Sequence, residues 1–448
     1  MKKYLSRFFR SRTTVIALGF LALILTGTLL LMLPVSAREG RATFADALFT
    51  ATSASCVTGL IVRDTYAYWS RFGQTVILCL IQIGGMGVMT VATLLLMLAN
   101  RRIGIAQKEL LSESISAPNF GGVLGTAKVI LTVTLICECA GAAILCLRFC
   151  PELGPGEGIY TSVFLAVSAF CNAGFDLCGR WGEYGSLVRY AADPLVILPV
   201  SALIIIGGLG FLVWNDVLRF RCRFSRYSLH SKAVLITTGA LLVVGTALFW
   251  LFERSSTGAL FGPGGKLLTA FFSAVTPRTA GFNSVDTALL SQPSKLLTML
   301  LMFIGGSPGS TAGGVKTTTV FTLLIFTFSM TRVRKNAGVM GRRIAEDALK
   351  KSTAVVMLSI TAVLCASMAI LAMQPELAMA DVLFECFSAV GTAGMTTGIT
   401  RALAPVSRIL IVICMYLGRL GSLTFATALG EHAARKEVRM PQEQIIIG

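Results

Sequence analysis

The chain has 448 residues, 54% of them hydrophobic and only 14% charged, with a mean hydropathy of +0.76 and a net charge of +17. A soluble domain carries about 25% charged residues, so this chain cannot coat itself in polar groups. A soluble multidomain protein and a disordered chain are both excluded, and 12 cysteines lying mostly inside apolar runs exclude a secreted disulfide scaffold.

The N-terminus opens on a basic tail (Lys2, Lys3, Arg7, Arg10, Arg12) and an apolar run over 14–34. A signal-peptide core is only about 7–15 residues long, and more runs follow, so this reads as an uncleaved first helix. Runs near the roughly 20 residues needed to cross a bilayer recur at 73–98, 126–147, 194–218, 233–252, 290–330, 353–373 and 406–430. They predict an all-α membrane protein of eight transmembrane spans. The sixth run is too long for one plain helix and holds a Gly-rich break. Of the 39 basic residues, 24 lie in the two tails and in the segments after the second, fourth and sixth runs, 13 lie on the other side, and Lys316 and Arg419 lie inside spans. Lys and Arg accumulate in cytoplasmic loops, so both termini are expected in the cytoplasm. The same alternation of basic clusters with spans speaks against nucleic acid as the partner.

Internal repetition is the next signal. After each odd-numbered span comes a short apolar segment: FTATSASCVTGL, FLAVSAFCNAGF, FFSAVTPRTAGF and FECFSAVGTAGM. They align on Gly59, Gly174, Gly281 and Gly394, at intervals of 115, 107 and 113 residues. Ten residues before each glycine stands Phe49, Phe164, Phe271 or Phe384, and thirteen before stand Asp46, Thr161 and Asp381 in three of them. About ten helical residues rise roughly 15 Å, half a bilayer. An Asp or Thr at the start suits an N-cap, and the C-terminal dipole end then faces the membrane centre, where it favours a cation. Irregular backbone at that depth must line a cavity or be buried in protein. Four such strands make rings of carbonyls that replace an ion's hydration shell. The units span 1–115, 116–230, 231–350 and 351–448, each reading helix, re-entrant pore helix with filter loop, helix, around one central pore.

These four loops, the eight spans, the break in the sixth and the C-terminal QIIIG resemble the Trk/Ktr/HKT superfamily of cation transporters, closest to the membrane subunit of bacterial Ktr-type potassium uptake systems (KtrB-like). The resemblance implies carbonyl ligands from Val57, Thr58 and Gly59; Asn172, Ala173 and Gly174; Thr279, Ala280 and Gly281; and Thr392, Ala393 and Gly394. Glycine at all four filter positions goes, in that family, with potassium, whereas Ser in the first repeat goes with sodium in some plant relatives. The family also implies a homodimer with the C-terminal tail near its interface, and a cytoplasmic RCK-type nucleotide-binding ring (KtrA-like) that docks on basic segments such as 219–232 and 331–351. No bound cofactor is expected; K⁺ is the transported ion, and Na⁺ stimulates some such systems.

The break in the sixth span contains Gly305, Gly306, Ser307, Pro308, Gly309, Gly313, Gly314 and Lys316 within 305–319. Five Gly and a Pro cannot stay helical. A nucleotide P-loop needs Lys directly after its Gly and a preceding strand; here Val315 intervenes. The stretch instead reads as a gate under the third filter, and family resemblance points the same way, with Arg419 bonding its carbonyls. An intramembrane charge is a functional candidate by default, although Lys316 can also snorkel to the surface. The other units carry glycines nearby: Gly84, Gly85 and Gly87; Gly207, Gly208 and Gly210; Gly418 and Gly421.

Arg278, three residues before Gly281, is expected to point away from the filter or to anchor at the outer surface. Glu138 reads as a helix-facing, hydrogen-bonded carboxylate, Glu385 as a group bonding backbone behind the fourth filter, and Asp64 and Asp286 as charges at the outer mouth. No nucleophile–base arrangement is present, so no enzyme is expected. A competing class, an organic-solute transporter with broken helices around a midplane site, predicts inverted twofold symmetry rather than a fourfold repeat in one orientation. A sodium or less selective cation transporter of the same superfamily is the alternative within the class.

Overall fold

The structure, a computed structural model, describes residues 12–98, 104, 109–112, 123–221, 223–332, 338–340 and 342–421. The basic tail up to Arg10, the loop cations Arg101, Arg102 and Lys108, part of the 331–351 segment, the end of the eighth apolar run and QIIIG lie outside the described residues. In chain order come α1 (Arg12–Leu31), a short α2 (Phe44–Ser55), the pair α3 (Arg71–Met86) and α4 (Val88–Leu98), a long α5 (Val123–Leu153), a short α6 (Pro155–Phe170), the pair α7 (Pro194–Leu209) and α8 (Phe211–Phe220), and a long α9 (Leu229–Glu253). Then follow a short α10 (Pro263–Val275), α11 (Gln292–Phe303) and α12 (Thr317–Thr331) separated by an irregular loop, a long α13 (Glu346–Met373), a short α14 (Met379–Gly391) and α15 (Pro405–Leu420). A small antiparallel ribbon, β1 (Gly338–Val339) with β2 (Arg342–Arg343), precedes α13.

By length and composition, α1, α5, α9 and α13 can each cross a bilayer. Leu29, Leu147, Val243 and Met368 on these four helices are exposed, an arrangement that suits lipid and not water. Proline in the first turn starts α6, α7, α10, α11 and α15, where its missing N–H has no intrahelical partner to lose.

The second and fourth apolar runs are not straight spans. α3 and α4 meet at 94° and α7 and α8 at 97°. The breaks fall at Gly87 (φ 85°) and Gly210 (φ 93°), a conformation that costs glycine little and other residues much. The N–H of Phe211, released at the second break, donates to the Gly309 carbonyl at 2.7 Å. Glycine also sets how closely these helices pack. Gly84 of α3 faces the Ser55 carbonyl, Gly207 of α7 the Phe170 carbonyl, and Gly418 of α15 the Val390 carbonyl, each too near for a methyl group. Each helix is thereby pressed against the last turn of a short helix.

The short helices start differently from the capping reading. Thr43 caps α2, accepting from the Asp46 N–H at 3.2 Å, and Asp46 sits in the first turn with Arg63 at 3.1 Å and Arg408 at 3.5 Å. Asp381 likewise lies in the first turn of α14, 3.9 Å from Lys295, and Thr161 lies midway along α6. The acids still meet the positive helix end, but through ion pairs to other elements. Phe49, Phe164 and Phe384 are fully buried; in the third segment Phe272 takes that place and Phe271 is half-buried.

Candidate ion pathway

The strands that follow the four short helices meet one another. At the first filter position of each segment the chain turns left-handed: Val57 (φ 55°), Asn172 (φ 59°), Thr279 (φ 65°) and Thr392 (φ 50°). Such values are genuine outliers for β-branched residues, and they persist only where surroundings over-determine them. Thr58, Ala173, Ala280 and Ala393 follow, then Gly59 (φ 96°), Gly174 (φ 71°), Gly281 (φ 79°) and Gly394 (φ 78°). All eight non-glycine residues are buried, none more than 1% exposed.

The glycines form a closed ring in chain order. A methyl group on Gly59 would lie 2.6 Å from the Ala173 carbonyl oxygen, on Gly174 2.8 Å from that of Ala280, and on Gly281 3.0 Å from that of Ala393. On Gly394 it would strike the Thr58 carbonyl, which closes the circle. Asn172 and Thr279 of adjacent strands also touch through their side chains, 3.3 Å apart. The amides are turned back into the helices: Thr58, Ala173 and Ala393 each donate to the carbonyl five residues earlier at 2.8 Å, and Ala280 to Thr276 at 3.0 Å. With those donors engaged, the carbonyls of Thr58, Ala173, Ala280 and Ala393 are the groups that lie against the neighbouring glycines. The C-terminal ends of α2, α6, α10 and α14 add partial negative charge there.

On one side the ring opens into a cavity of about 190 Å³ that all four glycines line, with Asp176, Asn283 and Thr396 two residues beyond three of them. Asp176 was not singled out in the sequence, although three of the four residues at that offset are polar. Asp64 is no free mouth charge. It is 5% exposed, and its carboxylate accepts from the N–H groups of Tyr66 (2.9 Å), Ala67 (2.8 Å) and Tyr184 (2.9 Å), stapling two loops. Asp286 is exposed and caps a turn at Ala288.

On the other side lies a cavity of about 320 Å³, bordered by Gly87, Ser310, Lys316 and Arg419. Gly309, Ala312 and Gly314 of the loop 304–316 also line it. One flank is tied to α7 and to the end of α6: Ser307 N–H donates to Gly208 at 3.0 Å, and Thr311 Oγ1 to Phe170 at 3.2 Å. The other abuts the fourth strand, where Gly313 has no room for a side chain beside Thr392 and Gly314 lies against Gly391. Gly305 N–H donates to Val315 at 2.9 Å and Thr317 N–H to Gly306 at 3.1 Å, closing the loop's neck. Lys316 folds back onto the loop, donating to the Ala312 carbonyl at 2.8 Å. Arg419 reaches across from α15, its guanidinium bonding the carbonyls of Thr311 in the loop and of Gly84 and Gly85 in α3.

Arg278 points away from the ring, its guanidinium donating to Thr238 Oγ1 of α9 at 3.1 Å, so it is buried and not an outer-surface anchor. Glu138 is buried and takes Gln82 at 3.2 Å. Glu385 bonds threonine hydroxyls and not backbone. Among the described residues no group of three or more His, Cys, Asp or Glu is placed to hold a metal ion.

Apolar helices long enough to cross a bilayer, with four short helices whose following strands meet in a ring of glycines, define a helical membrane protein. Residues 2–437 match the TrkH family of cation transport proteins, and the chain belongs to that family. It is 40% identical over 445 residues to the potassium/sodium uptake protein NtpJ of Enterococcus hirae, covering 98% of this chain and 97% of that protein. It is 39% identical to the Ktr system potassium uptake protein B of Bacillus subtilis, covering 97% and 96%, and 37% identical to its namesake from Vibrio alginolyticus, covering 97% and 94%. The crystal structure of the potassium transporter TrkH from Vibrio parahaemolyticus shares the fold, with a TM-score of 0.74 at 18% identity over 94% of this chain and 85% of that one. The chain is therefore a multi-pass membrane protein of a cation-transport family, not of an enzyme family.

Proposed function

We propose that this chain takes up potassium across the cell membrane, passing the ion through the ring at Gly59, Gly174, Gly281 and Gly394 and gating it at the loop 304–316. The observation that carries this is the closed circle of four strands with a left-handed first residue and a positive-φ glycine. Backbone alternating in hand turns successive carbonyls to one side, and such carbonyls can replace a hydration shell. In this proposal the four segments are pseudo-equivalent units of an eight-span protein, divided near residues 115, 230 and 350, with the 190 Å³ cavity outside and both termini inside. Arg419 and Lys316 hold the loop and put positive charge in the inner cavity. The chain works as a homodimer on a cytoplasmic nucleotide-binding ring, a proposal supported by relatives named for a Ktr system. The test is rescue of growth at low external potassium in an uptake-deficient strain, with and without sodium. Failure to rescue at any sodium concentration, with protein in the membrane, would remove the proposal.

One observation favours weaker discrimination. The four strands differ in side chain, from Val57-Thr58 to Asn172-Ala173, and one relative's name includes sodium. Sodium uptake in the absence of potassium distinguishes the two readings.

The outer cavity brings a pH dependence. Burial, and to a lesser degree the Asp64 carboxylate, push the Asp176 carboxyl up to about 6. Above that pH it is ionised and draws cations to the mouth; below it the charge is lost. Half-saturating potassium is therefore expected to rise roughly threefold as external pH falls from about 7.5 to about 5. In Asp176→Asn it should be raised at both pH values and flat between them, and a slope equal to wild type would exclude Asp176 as the source.

A further inference from the structure

The fourth strand is supported in a way the others are not. Glu385, on α14 nine residues before Gly394, is fully buried. Its carboxylate accepts from Thr396 Oγ1 at 2.7 Å and from Thr400 Oγ1 at 2.5 Å. Thr396 Oγ1 accepts in turn from the Gly398 N–H at 3.0 Å. A hydroxyl has a single proton to give. Thr400 Oγ1 also lies 2.9 Å from Thr396 Oγ1, so the three groups form one closed network in which each hydroxyl can turn its proton to a carboxylate oxygen. In that arrangement Glu385 acts purely as an acceptor, as an ionised carboxylate does. None of the ion pairs formed among the described residues supplies it with a cation. Both threonines line the outer cavity together with the four ring glycines. The residues nine before the other three glycines are Thr50, Leu165 and Phe272, none of which carries a charge.

We propose that Glu385 is a positioning residue for the ion: an uncompensated negative charge one side chain behind the fourth strand, whose counter-charge is the transported cation, and which ties the strand to α14 through Thr396 and Thr400. A buried charge without a partner is costly, and a cation held at the ring offsets that cost only while it is bound. The charge and the tie do different things. The charge raises affinity for any monovalent cation. The tie holds the fourth strand in register with the other three, and so bears on the choice between ions of different radius. The proposal rests on the filter reading above.

The two contributions separate in potassium uptake by the full chain in an uptake-deficient strain, scored with membrane protein amount. Glu385→Gln keeps the shape and removes the charge. Half-saturating potassium should rise by at least roughly tenfold while maximal velocity stays within about twofold, the size expected of a unit charge within about 12 Å at an effective dielectric of about 20. Thr396→Val keeps the charge and cuts the tie; sodium should then inhibit potassium uptake more strongly than in wild type, with a smaller change in half-saturation. Unchanged half-saturation in Glu385→Gln together with unchanged sodium inhibition in Thr396→Val overturns the proposal. If Glu385→Gln does not reach the membrane, Thr396→Val and Thr400→Val decide, and wild-type sodium inhibition in both overturns it. Gly281→Ser in the same strain separates the two levels. An effect there with none at Glu385, Thr396 or Thr400 sinks the brace alone, whereas no effect at Gly281 sinks the filter itself.

Discussion

Gly281→Ser is expected to reduce potassium uptake by at least about tenfold and to blunt discrimination against sodium. Two costs combine. A side chain at φ 79° is strained, by about 1–2 kcal/mol for an L-residue in left-handed backbone. Its Cβ would also lie 3.0 Å from the Ala393 carbonyl oxygen and 3.2 Å from the Cα atoms of Gly174 and Gly394, so the ring must widen or lose its circular order. A tenfold loss corresponds to about 1.4 kcal/mol, within what these costs supply. Gly281 is the most lenient of the four positions; the contact to the Ala173 oxygen at Gly59 is closer, 2.6 Å, and that at Gly394 closer still. Substitutions there should be more severe, in that order. Rubidium influx with sodium competition measures both effects. Wild-type influx and competition in Gly281→Ser would show that the ring does not carry the ion.

Arg419→Ala is expected to raise maximal uptake velocity roughly tenfold while leaving half-saturating potassium within about twofold. Arg419 spans the inner cavity from α15 to the loop at Thr311 and to α3 at Gly84 and Gly85. Hydrogen bonds to a charged group contribute about 1.5–3 kcal/mol each, so its removal frees the loop on the side facing α3. It also removes a positive charge from the route a cation must take. Neither change touches the ring, so affinity should hold. Arg419→Lys keeps the charge without the forked geometry and should fall between the two. Equal velocities in wild type and Arg419→Ala would remove the gate role.

The residues of the glycine ring were legible because their spacing is local and repeated. A glycine ten residues after a phenylalanine, four times over, marks a helix that ends where its backbone must bend, and neither feature needs a distant partner to be recognised. Arg419 stood out for a similarly simple reason, as a charge within an apolar run. The glycines at 84, 207 and 418 were visible as a pattern without a cause. Their cause is contact with the Ser55, Phe170 and Val390 carbonyls, the first and last 28 or 29 residues away along the chain.

Other features depended on partners that composition cannot name. Asp64 looks like a mouth charge until Tyr184, 120 residues on, is seen to give its amide to it. Asp46 looks like a helix cap, but it lies inside the first turn, Thr43 takes the cap position by accepting from the Asp46 N–H, and the Asp46 carboxylate is left to Arg63 and Arg408. Two apolar runs of spanning length bend by more than 90°, because hydropathy records what a segment dissolves in and not the direction of its axis. From the sequence alone come a lipid-dissolved helical chain, its repeated re-entrant segments and the glycines on which they turn, since solvent preference and backbone freedom belong to each residue separately. Only the tertiary structure decided which carbonyls face one another, which acids are already spent on amides and arginines, and that Glu385 stands without a cation among the described ion pairs, because those are properties of pairs that the chain brings together only on folding.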